Sequence, residues 1–434
     1  MRSSRPDFPS RDTPVSGPPL RLRIARHLLS PGRGEMAEFR GWSRLLRWRG
    51  PAERGARRRA VFDLVLRPLV AFRTARAGVR RYGADIAVVA GVPTWRQAGH
   101  LWWLRARHDL DALSYRDYQL YRPERRARAG AYLTKADYLR VMKFLSRAYE
   151  AVGDGPRIRD KRQFTAWCAE HGLPAVPVLV EWARGQVVYD TRPGGALPAD
   201  DLFSKPPDAT YGSGAARWAY DGRGGYVGRD GRPRSADALA AELAAASLEG
   251  TARGRKRSHR MLLMPCLRND PRLAPLTNGA LCTVRIVTYR RPGGRAEFLV
   301  ATYKMAAGDA PADNFHFGGM LAPVDPATGR LGPALRQQGK ALTPVERHPD
   351  SGAVIEGFQL PHWEAARALA LRAHDAARAV PAFGWDVALT PDGPVLIEGN
   401  QWSNPDIAQA PTGRPLGDTA YVAALNAHLR TLVR

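Results

Sequence analysis

Apolar and polar residues follow two patterns along this chain, and the pattern changes near residue 150. Before this point apolar positions recur with helical spacing, as in VFDLVLRPLVAFRTARAGVRRYG and YLRVMKFLSRAYEAVG, whose helix we expect to end near Gly153. From about residue 155, helical segments alternate with short runs rich in Val, Ile, Leu, Thr and Tyr, which favour strands. The pattern predicts a helical N-terminal region followed by an α+β domain built on antiparallel sheets.

The first helical segment carries large apolar side chains among arginines. They are Val61, Leu64, Leu66, Val70 and Phe72. This arrangement favours a helix that packs against a protein core. It also fits a helix that lies on a membrane surface or against a partner, and the sequence leaves both alternatives open.

Several elements of the second region have recognisable ends. Asp160 is suited to cap a helix through KRQFTAWCAEH, and Ser235 is suited to cap ADALAAELAAASL. PAVPVLVEWARGQVVYD predicts two strands around a turn at Gly185. We also expect a helix over HWEAARALALRAHDAARAV and strands at MLLMPCL, ALCTVRIVTYRR, RAEFLVATYKMA and GPVLIEGN.

The net charge of +25 is concentrated at the N-terminal end. Residues 1–130 hold 28 basic and 11 acidic residues, and residues 1–35 are rich in Pro, Ser, Gly and Arg, which predicts a disordered basic tail. Such a surplus is typical of a solvated basic surface or of contact with an acidic partner such as phospholipid or RNA. Because no aromatic-interleaved RNA motif is present, we expect no specific nucleic-acid partner and keep membrane-surface contact as an alternative.

The cysteines and the apolar runs indicate the compartment. Cys168, Cys266 and Cys282 are far apart and have no metal-ligand spacing, which argues against a disulfide framework and structural zinc. No apolar run approaches the roughly 18 residues that can span a bilayer, and the N-terminus lacks the apolar stretch of a secretory signal. We therefore expect a cytoplasmic protein without a transmembrane segment.

The densest set of candidate ligands lies in FGWDVALTPDGPVLIEGNQWSNP. WDVAL and PVLIEGN predict two antiparallel strands joined by a turn at 390–393. Glu398 and Asn400 are two residues apart and share a sheet face, which Asp386 can join from the neighbouring strand. Two carboxylates and an amide oxygen are hard ligands suited to Mg²⁺. The alternative is a polar, solvent-facing hairpin, although buried carboxylates without a cation are costly.

The segment GWDVALTPDGPVLIEGN resembles the metal-binding hairpin of ATP-grasp ligases. Residues 280–322 resemble the alpha-L-glutamate ligases of the ribosomal-protein-modifying kind, which carry an Asp-Ile-Arg strand, a Val-rich strand and an Asn-x-His-x-Gly-Gly segment. A closer resemblance is to sugar-transfer-associated, alpha-L-glutamate-ligase-related ATP-grasp proteins. It covers roughly residues 140–425, is weak over 200–270, and leaves residues 1–130 outside.

This resemblance implies an ATP-grasp fold, in which two α+β subdomains sandwich ATP over residues 151–430, after a helical region over 36–150. Asp386, Glu398 and Asn400 would hold one or two Mg²⁺ ions that bridge the β- and γ-phosphates of ATP.

The resemblance also implies roles in phosphoryl transfer. Arg285 would face the γ-phosphate and stabilise the charge that develops there. Asn314 would lie on the phosphate and metal side, with His316, Gly318 and Gly319 completing its segment. For His316 a structural role is an equal alternative.

Further residues would bind the nucleotide. Lys205 is the first candidate for a phosphate-binding lysine, because it ends a strand before the glycine loop Gly212, Ser213 and Gly214, whose N–H groups can bind phosphate. The loop is a loose form of the family motif, so an ordinary surface hairpin is the alternative.

Lys161 and Lys304 are the second and third lysine candidates. Met264 lies where the family has the hinge strand that pairs with adenine, although no acidic residue for the ribose is evident nearby.

The implied activity is an ATP-dependent carboxylate–amine ligase that works through an acylphosphate, with a small-molecule or a peptide- or sugar-linked acceptor. Two alternatives are a phosphotransferase on the same fold and a non-catalytic nucleotide-binding or scaffold protein with a basic partner-binding region.

Overall fold

The computed structural model describes residues 34–48, 66–207, 214–253, 256–308, 313, 315 and 318–432. Most of the predicted basic tail, together with Val61 and Leu64, lies outside these residues. The first part is helical, as predicted, and its helices are α1 Glu35–Trp48, α2 Arg67–Gly78, a π-helical turn Val79–Gly83, α3 Ala84–Ala90, α4 Thr94–His108, α5 Ala112–Asp117, α6 Pro123–Ala127 and α7 Lys135–Ala148.

The second part contains a seven-stranded sheet, here called the first sheet, with the strand order β2-β1-β9-β3-β4-β5-β6. Its helices and strands, together with the small β7–β8 hairpin, are α8 Gly155–Arg159, α9 Lys161–Glu170, β1 Val180–Ala183, β2 Gln186–Asp190, β3 Leu202–Lys205, β4 Ala216–Tyr220, β5 Gly225–Val227, β6 Pro233–Ser235, α10 Ala236–Glu249, β7 Thr251–Arg253, β8 Lys256–Ser258 and β9 Arg260–Pro265.

The second sheet also has seven strands, in the order β14-β13-β12-β11-β10-β15-β16. Its strands and the helices that follow them in the chain are β10 Thr283–Tyr289, β11 Glu297–Met305, β12 Met320–Pro323, β13 Ala334–Gln338, β14 Ala341–Val345, α11 Trp363–Ala376, β15 Ala382–Thr390, β16 Gly393–Asn400, α12 Pro405–Thr412 and α13 Ala420–Thr431.

The predicted α+β class with antiparallel sheets is confirmed, since all ladders between named strands are antiparallel. The caps are confirmed as well: Asp160 accepts from the amides of Arg162 and Gln163, and Ser235 accepts from Ala238. Helix α7 ends at Ala148, earlier than expected.

A contact with a distant loop follows the end of α7. The amide of Asp154 donates to the carbonyl of Arg378, and its carboxylate pairs with the Arg378 guanidinium.

Three apolar cores position the site. Helix α10 covers one face of the first sheet, with Leu239 and Leu243 packed on Val180 and Leu263. Helix α11 covers one face of the second sheet. Helices α1, α7 and α13 cover only part of the other face, where they pack near Tyr289. The rest of that face carries a small apolar cluster around Leu321 and Leu335, together with polar side chains.

The expectation that Phe72 faces a core is wrong, because its side chain is 59% exposed. The buried residues of α2 are Ala71, Ala75 and Gly78. A Cβ at Gly78 would lie 2.9 Å from the Leu101 side chain of α4. Helices this close have room only for small residues between them, so the large side chains of α2 point outward.

Helix lengths and hydropathy also bear on membrane insertion. Within the part of the chain that the structure describes, no helix is long and apolar enough to cross a bilayer.

Candidate functional site

The predicted ligand hairpin forms, and a bulge in it decides which side chains meet. Thr390 pairs with Gly393 as expected, but the register shifts between Asp386 and Val387, so that Asp386 lies opposite Glu398. A regular hairpin would place Asp386 opposite Ile397 and turn Glu398 to the other face. The extra residue therefore brings the two carboxylates to one face, a common use of bulges near functional sites.

Arg285 lies on the same face of the second sheet as Asp386 and Glu398. Its partners in the ladders are Asp386 on β15 and Thr302 on β11. Arg285 Nε donates to Asp386 Oδ1 at 2.5 Å, and Nη2 donates to Oδ2 at 2.9 Å. This bidentate pair fixes the guanidinium plane.

The charges around Asp386 are balanced by more than one cation. Lys304 Nζ lies 3.3 Å from Asp386 Oδ2 and 3.5 Å from Asp313 Oδ1. Burial raises the pKa of Asp386, but Arg285 and Lys304 outweigh it and hold the pKa well below its usual range. Burial also lowers the pKa of Lys304, while Asp313 and Asp386 raise it by more. Both groups are therefore charged at neutral pH.

Asp313 is a member of this cluster that sequence reasoning missed. Its carboxylate accepts from the amide of Thr283 at 2.8 Å and from the Thr283 hydroxyl at 2.6 Å. The available signal was Lys304 itself, since a lysine inside an apolar strand needs a carboxylate partner. Which carboxylate supplies it depends on the tertiary fold.

Ser403 is a second missed residue. Its Oγ accepts from Arg285 Nη1 at 3.4 Å. Gly384 makes this contact possible, because a Cβ there would lie 3.0 Å from Arg285 Cδ and would collide with the Ser403 side chain. The arginine stem thus passes through space that only a glycine leaves open.

Two lysines approach this cluster from outside the second sheet. Lys161, at the start of α9, lies 3.9 Å from Glu398 Oε2 and donates to the carbonyl of Pro207 at 2.9 Å. Lys205 ends β3 in the first sheet, and its pKa falls to about 8, first through burial and then through the charge of Lys161. Glu398 and Asp386 partly offset this fall. All four cations therefore converge where the two sheets face each other, a region here called the cleft.

Met264 lies on the cleft face of the first sheet. Phe203 pairs with Met264 and Lys205 pairs with Leu262, so these side chains share the face opposite α10. The ladder from β9 to β1 ends at Leu263, and Met264 pairs with β3 alone. An apolar surface beside a strand edge that has no neighbouring strand is suited to bind a flat heterocycle.

The predicted metal ligands are compatible with a divalent cation. Asp386 and Glu398 are directly paired carboxylates, an arrangement that repels unless a cation intervenes. Asn400 Nδ2 donates to Glu398 Oε1 at 3.0 Å, which orients that carboxylate. No group of three or more His, Cys, Asp or Glu residues in the described ranges has a metal-binding arrangement. The predicted set, with two carboxylates and one amide, fits Mg²⁺ completed by water and phosphate oxygens.

Four predicted site residues, Gly212, Ser213, Asn314 and His316, lie outside the described residues. Gly214 has a φ of +72°, which suits glycine, and Gly318 has a φ of +94°. The structure brings together Lys161, Lys205, Arg285, Lys304, Asp386, Glu398 and Asn400. With Asp313 included, the cleft holds four cations and three carboxylates, so it has one excess positive charge.

A family model described as sugar-transfer associated ATP-grasp matches residues 142–420. No curated protein matches the chain.

Solved structures with a similar arrangement include D-alanyl-alanine synthetase A from Vibrio cholerae, which is 12% identical over 65% of this chain and 69% of its own, with a TM-score of 0.36. An L-amino acid ligase from Bacillus licheniformis is 12% identical over 67% and 56%, with a TM-score of 0.34. The N5-carboxyaminoimidazole ribonucleotide synthetase purK, as an ADP complex, is 13% identical over 61% and 51%, with a TM-score of 0.31. At these TM-scores the three structures do not bear on the activity of this chain.

Proposed function

The chain belongs to the sugar-transfer associated ATP-grasp family, and from this premise we propose that it is an ATP- and magnesium-dependent carboxylate–amine ligase. The observation that supports this most is the cleft where Lys161 and Lys205 face Arg285, Lys304 and the carboxylates of the second sheet. A slightly positive, partly buried cleft favours a polyphosphate, because fixed charges act strongly where water is scarce.

The proposed reaction has two steps. A carboxylate oxygen of the first substrate attacks the γ-phosphorus of ATP, the bond to ADP breaks, and an acylphosphate forms. An amine then attacks the acyl carbon, loses a proton and expels phosphate. The new bond is an amide, and the free energy comes from ATP.

The residues of the cleft would act mainly by position and charge. Lys161 and Lys205 would hold the nucleotide phosphates, and Arg285 would hold the transferring phosphoryl group against its fixed partner Asp386. Mg²⁺ at Asp386, Glu398 and Asn400 would neutralise charge on the β- and γ-phosphates. Met264 would lie against the adenine.

This chemistry needs no covalent nucleophile. The raised pKa values of the three cysteines are consistent with such a mechanism. Burial raises the pKa of Cys168 to about 12 and that of Cys282 to about 11. Burial also raises the pKa of Cys266. Since the thiolate is the reactive form, these thiols are poor nucleophiles at neutral pH.

We place the reaction in the cytoplasm, with a small-molecule or a peptide- or sugar-linked amine as the acceptor and a glutamate-like amino acid among the first substrates to be tried. The support is the absence of a disulfide among the cysteines, all of which are free, together with the family.

The proposal is tested with Glu398→Gln and the matched surface variant Glu364→Gln. ADP release is followed with ATP, magnesium and a panel of amino acids and sugar acids. We expect Glu398→Gln to lose at least about 100-fold in rate, because a charge that stabilises the transition state is removed. Glu364, an exposed helix residue paired with Arg367, should have no effect. Equal rates in both variants would refute the assigned site.

Hydroxylamine distinguishes a ligase from a phosphotransferase. An acylphosphate reacts with it to give a hydroxamate in the same amount as ADP. ADP formed with a phosphorylated hydroxyl product and without hydroxamate would contradict the ligase mechanism while leaving the nucleotide site intact.

A further inference from the structure

Large apolar side chains are exposed on the N-terminal helices, far more densely than elsewhere. Of the eleven strongly exposed large apolar residues in the described ranges, six lie between residues 69 and 103. They are Leu69, Phe72, Val88, Trp95, Trp102 and Trp103. Scattered exposed apolar residues are ordinary, but a concentration in one region marks an interaction surface.

On α2 these side chains share one face with arginines. Ala71, Ala75 and Gly78 form the buried stripe. At 100° per residue, Leu69 and Phe72 project from the opposite half of the helix. Arg73 and Arg76 project from that same half and are exposed, and Arg80, in the π-helical turn that follows, is exposed as well.

Helix α4 repeats the arrangement beside α2. Its buried stripe is Gln97, Leu101 and Leu104. Trp95 and Trp102 lie two turns apart on the opposite side and are 69% and 44% exposed. Two adjoining helices therefore both present apolar side chains to the outside.

The charge of this region is mostly positive. Between residues 66 and 108 the sequence contains eight arginines and one acidic residue, Asp85. The guanidinium of Arg96 lies 5.1 Å from the centre of the Trp95 ring. In the site cleft, by contrast, Arg285 and Lys304 are paired with carboxylates. The outward arginines of α2 are thus available to an external anion.

We infer that the outer face of α2 and α4 binds the surface of an anionic phospholipid bilayer. Arginines meet the lipid phosphates, tryptophans sit at headgroup depth, and the Leu69 and Phe72 side chains enter the acyl boundary. An aliphatic side chain favours a bilayer over RNA, since RNA offers stacking partners for aromatic rings but no apolar phase for Leu69. This surface is separate from the cleft and does not depend on its activity.

The test is co-sedimentation of the full chain with two kinds of vesicle, phosphatidylcholine alone and phosphatidylcholine mixed with phosphatidylglycerol. We expect binding to the mixed vesicles, weak binding to the neutral ones, and release by high salt. Arg73→Glu with Arg76→Glu should weaken binding to mixed vesicles roughly tenfold or more. Trp95→Ser with Trp102→Ser should weaken it even at low salt.

The matched control is Arg223→Glu with Arg229→Glu, the same charge change at exposed positions in the loops that connect β4, β5 and β6. This control should have much less effect. Thermal unfolding checks that every variant folds. Equal binding by wild type and the Arg73/Arg76 variant would overturn the inference. So would equal binding to both vesicles, or binding to polyuridylate RNA without binding to vesicles.

Discussion

The two walls of the cleft hold their charges in different ways. In the second sheet, Arg285, Lys304, Asp313 and Asp386 are connected by ion pairs of 2.5 to 3.5 Å. On the other wall, Lys205 is held at a lowered pKa beside another cation, Lys161. One wall is electrostatically satisfied without a ligand, and the other is not.

This difference indicates how the cleft would work. Charges that are already paired keep their geometry when ligand is absent, which is what a transition-state binding site requires. A buried lysine beside a second lysine gains from an incoming anion, because phosphate relieves both burial and repulsion. The wall that carries Lys205 therefore contributes ligand affinity. The wall on the second sheet contributes geometry and fold stability.

The largest expected effect is on stability. Asp386→Asn removes the carboxylate that pairs with Arg285 and leaves an uncompensated buried charge. We therefore expect a loss of about 3 to 5 kcal/mol in the free energy of unfolding. Lys205→Met, on the opposite wall, should not destabilise the protein, because it removes a charge that burial disfavours. Urea unfolding compares the two, and equal losses would remove the distinction between the walls.

The next effect is on binding. Lys205→Met should weaken binding of a non-hydrolysable ATP analogue with magnesium roughly 10- to 100-fold, since a hydrogen bond to a charged group contributes about 1.5 to 3 kcal/mol. Lys340→Met, at an exposed position, is the control and should bind like wild type. Isothermal titration measures the affinity. Unchanged affinity in Lys205→Met would mean that this lysine does not contact the nucleotide.

The smallest effect is a pH dependence of nucleotide binding, which we expect to come from Lys205. Lys205, with a pKa of about 8, is mostly charged at pH 7 and mostly neutral at pH 9. Analogue binding should therefore weaken roughly tenfold across this range. In Lys205→Arg the charge persists, and affinity should stay nearly flat.

The same lowered pKa has a consequence for stability. The unfolded chain binds more protons than the folded one between the folded pKa and the ordinary lysine value. This group therefore makes the protein more stable as pH rises through that window. Lys205→Met should lack this contribution in unfolding titrations at several pH values.

The fold could be predicted largely from local patterns. The strands of the ligand hairpin follow from alternation, and the cap at Asp160 follows from its residue type and place. Local patterns could not predict that Glu398 and Asp386 share one face of the sheet. A plain hairpin places Glu398 away from Asp386, and only the bulge at Ile397 reverses that.

Other features depended on contacts that the sequence does not display. Asp313 joins the cluster because a loop brings it to Thr283. Phe72 points outward because Gly78 lets α2 approach Leu101 closely, whereas helical periodicity alone favoured a core position. Residue type indicated which groups carry charge, and tertiary packing decided which of them meet.

The central claim is that the cleft between the sheets binds ATP together with magnesium. The most direct measurement is calorimetric unfolding of the wild-type protein with the ATP analogue, with and without Mg²⁺. At 100 times the dissociation constant the ligand should add about 2.7 kcal/mol of stability, and most of this should need Mg²⁺. No stabilisation at any analogue concentration, or the same stabilisation in Lys205→Met, would contradict the account.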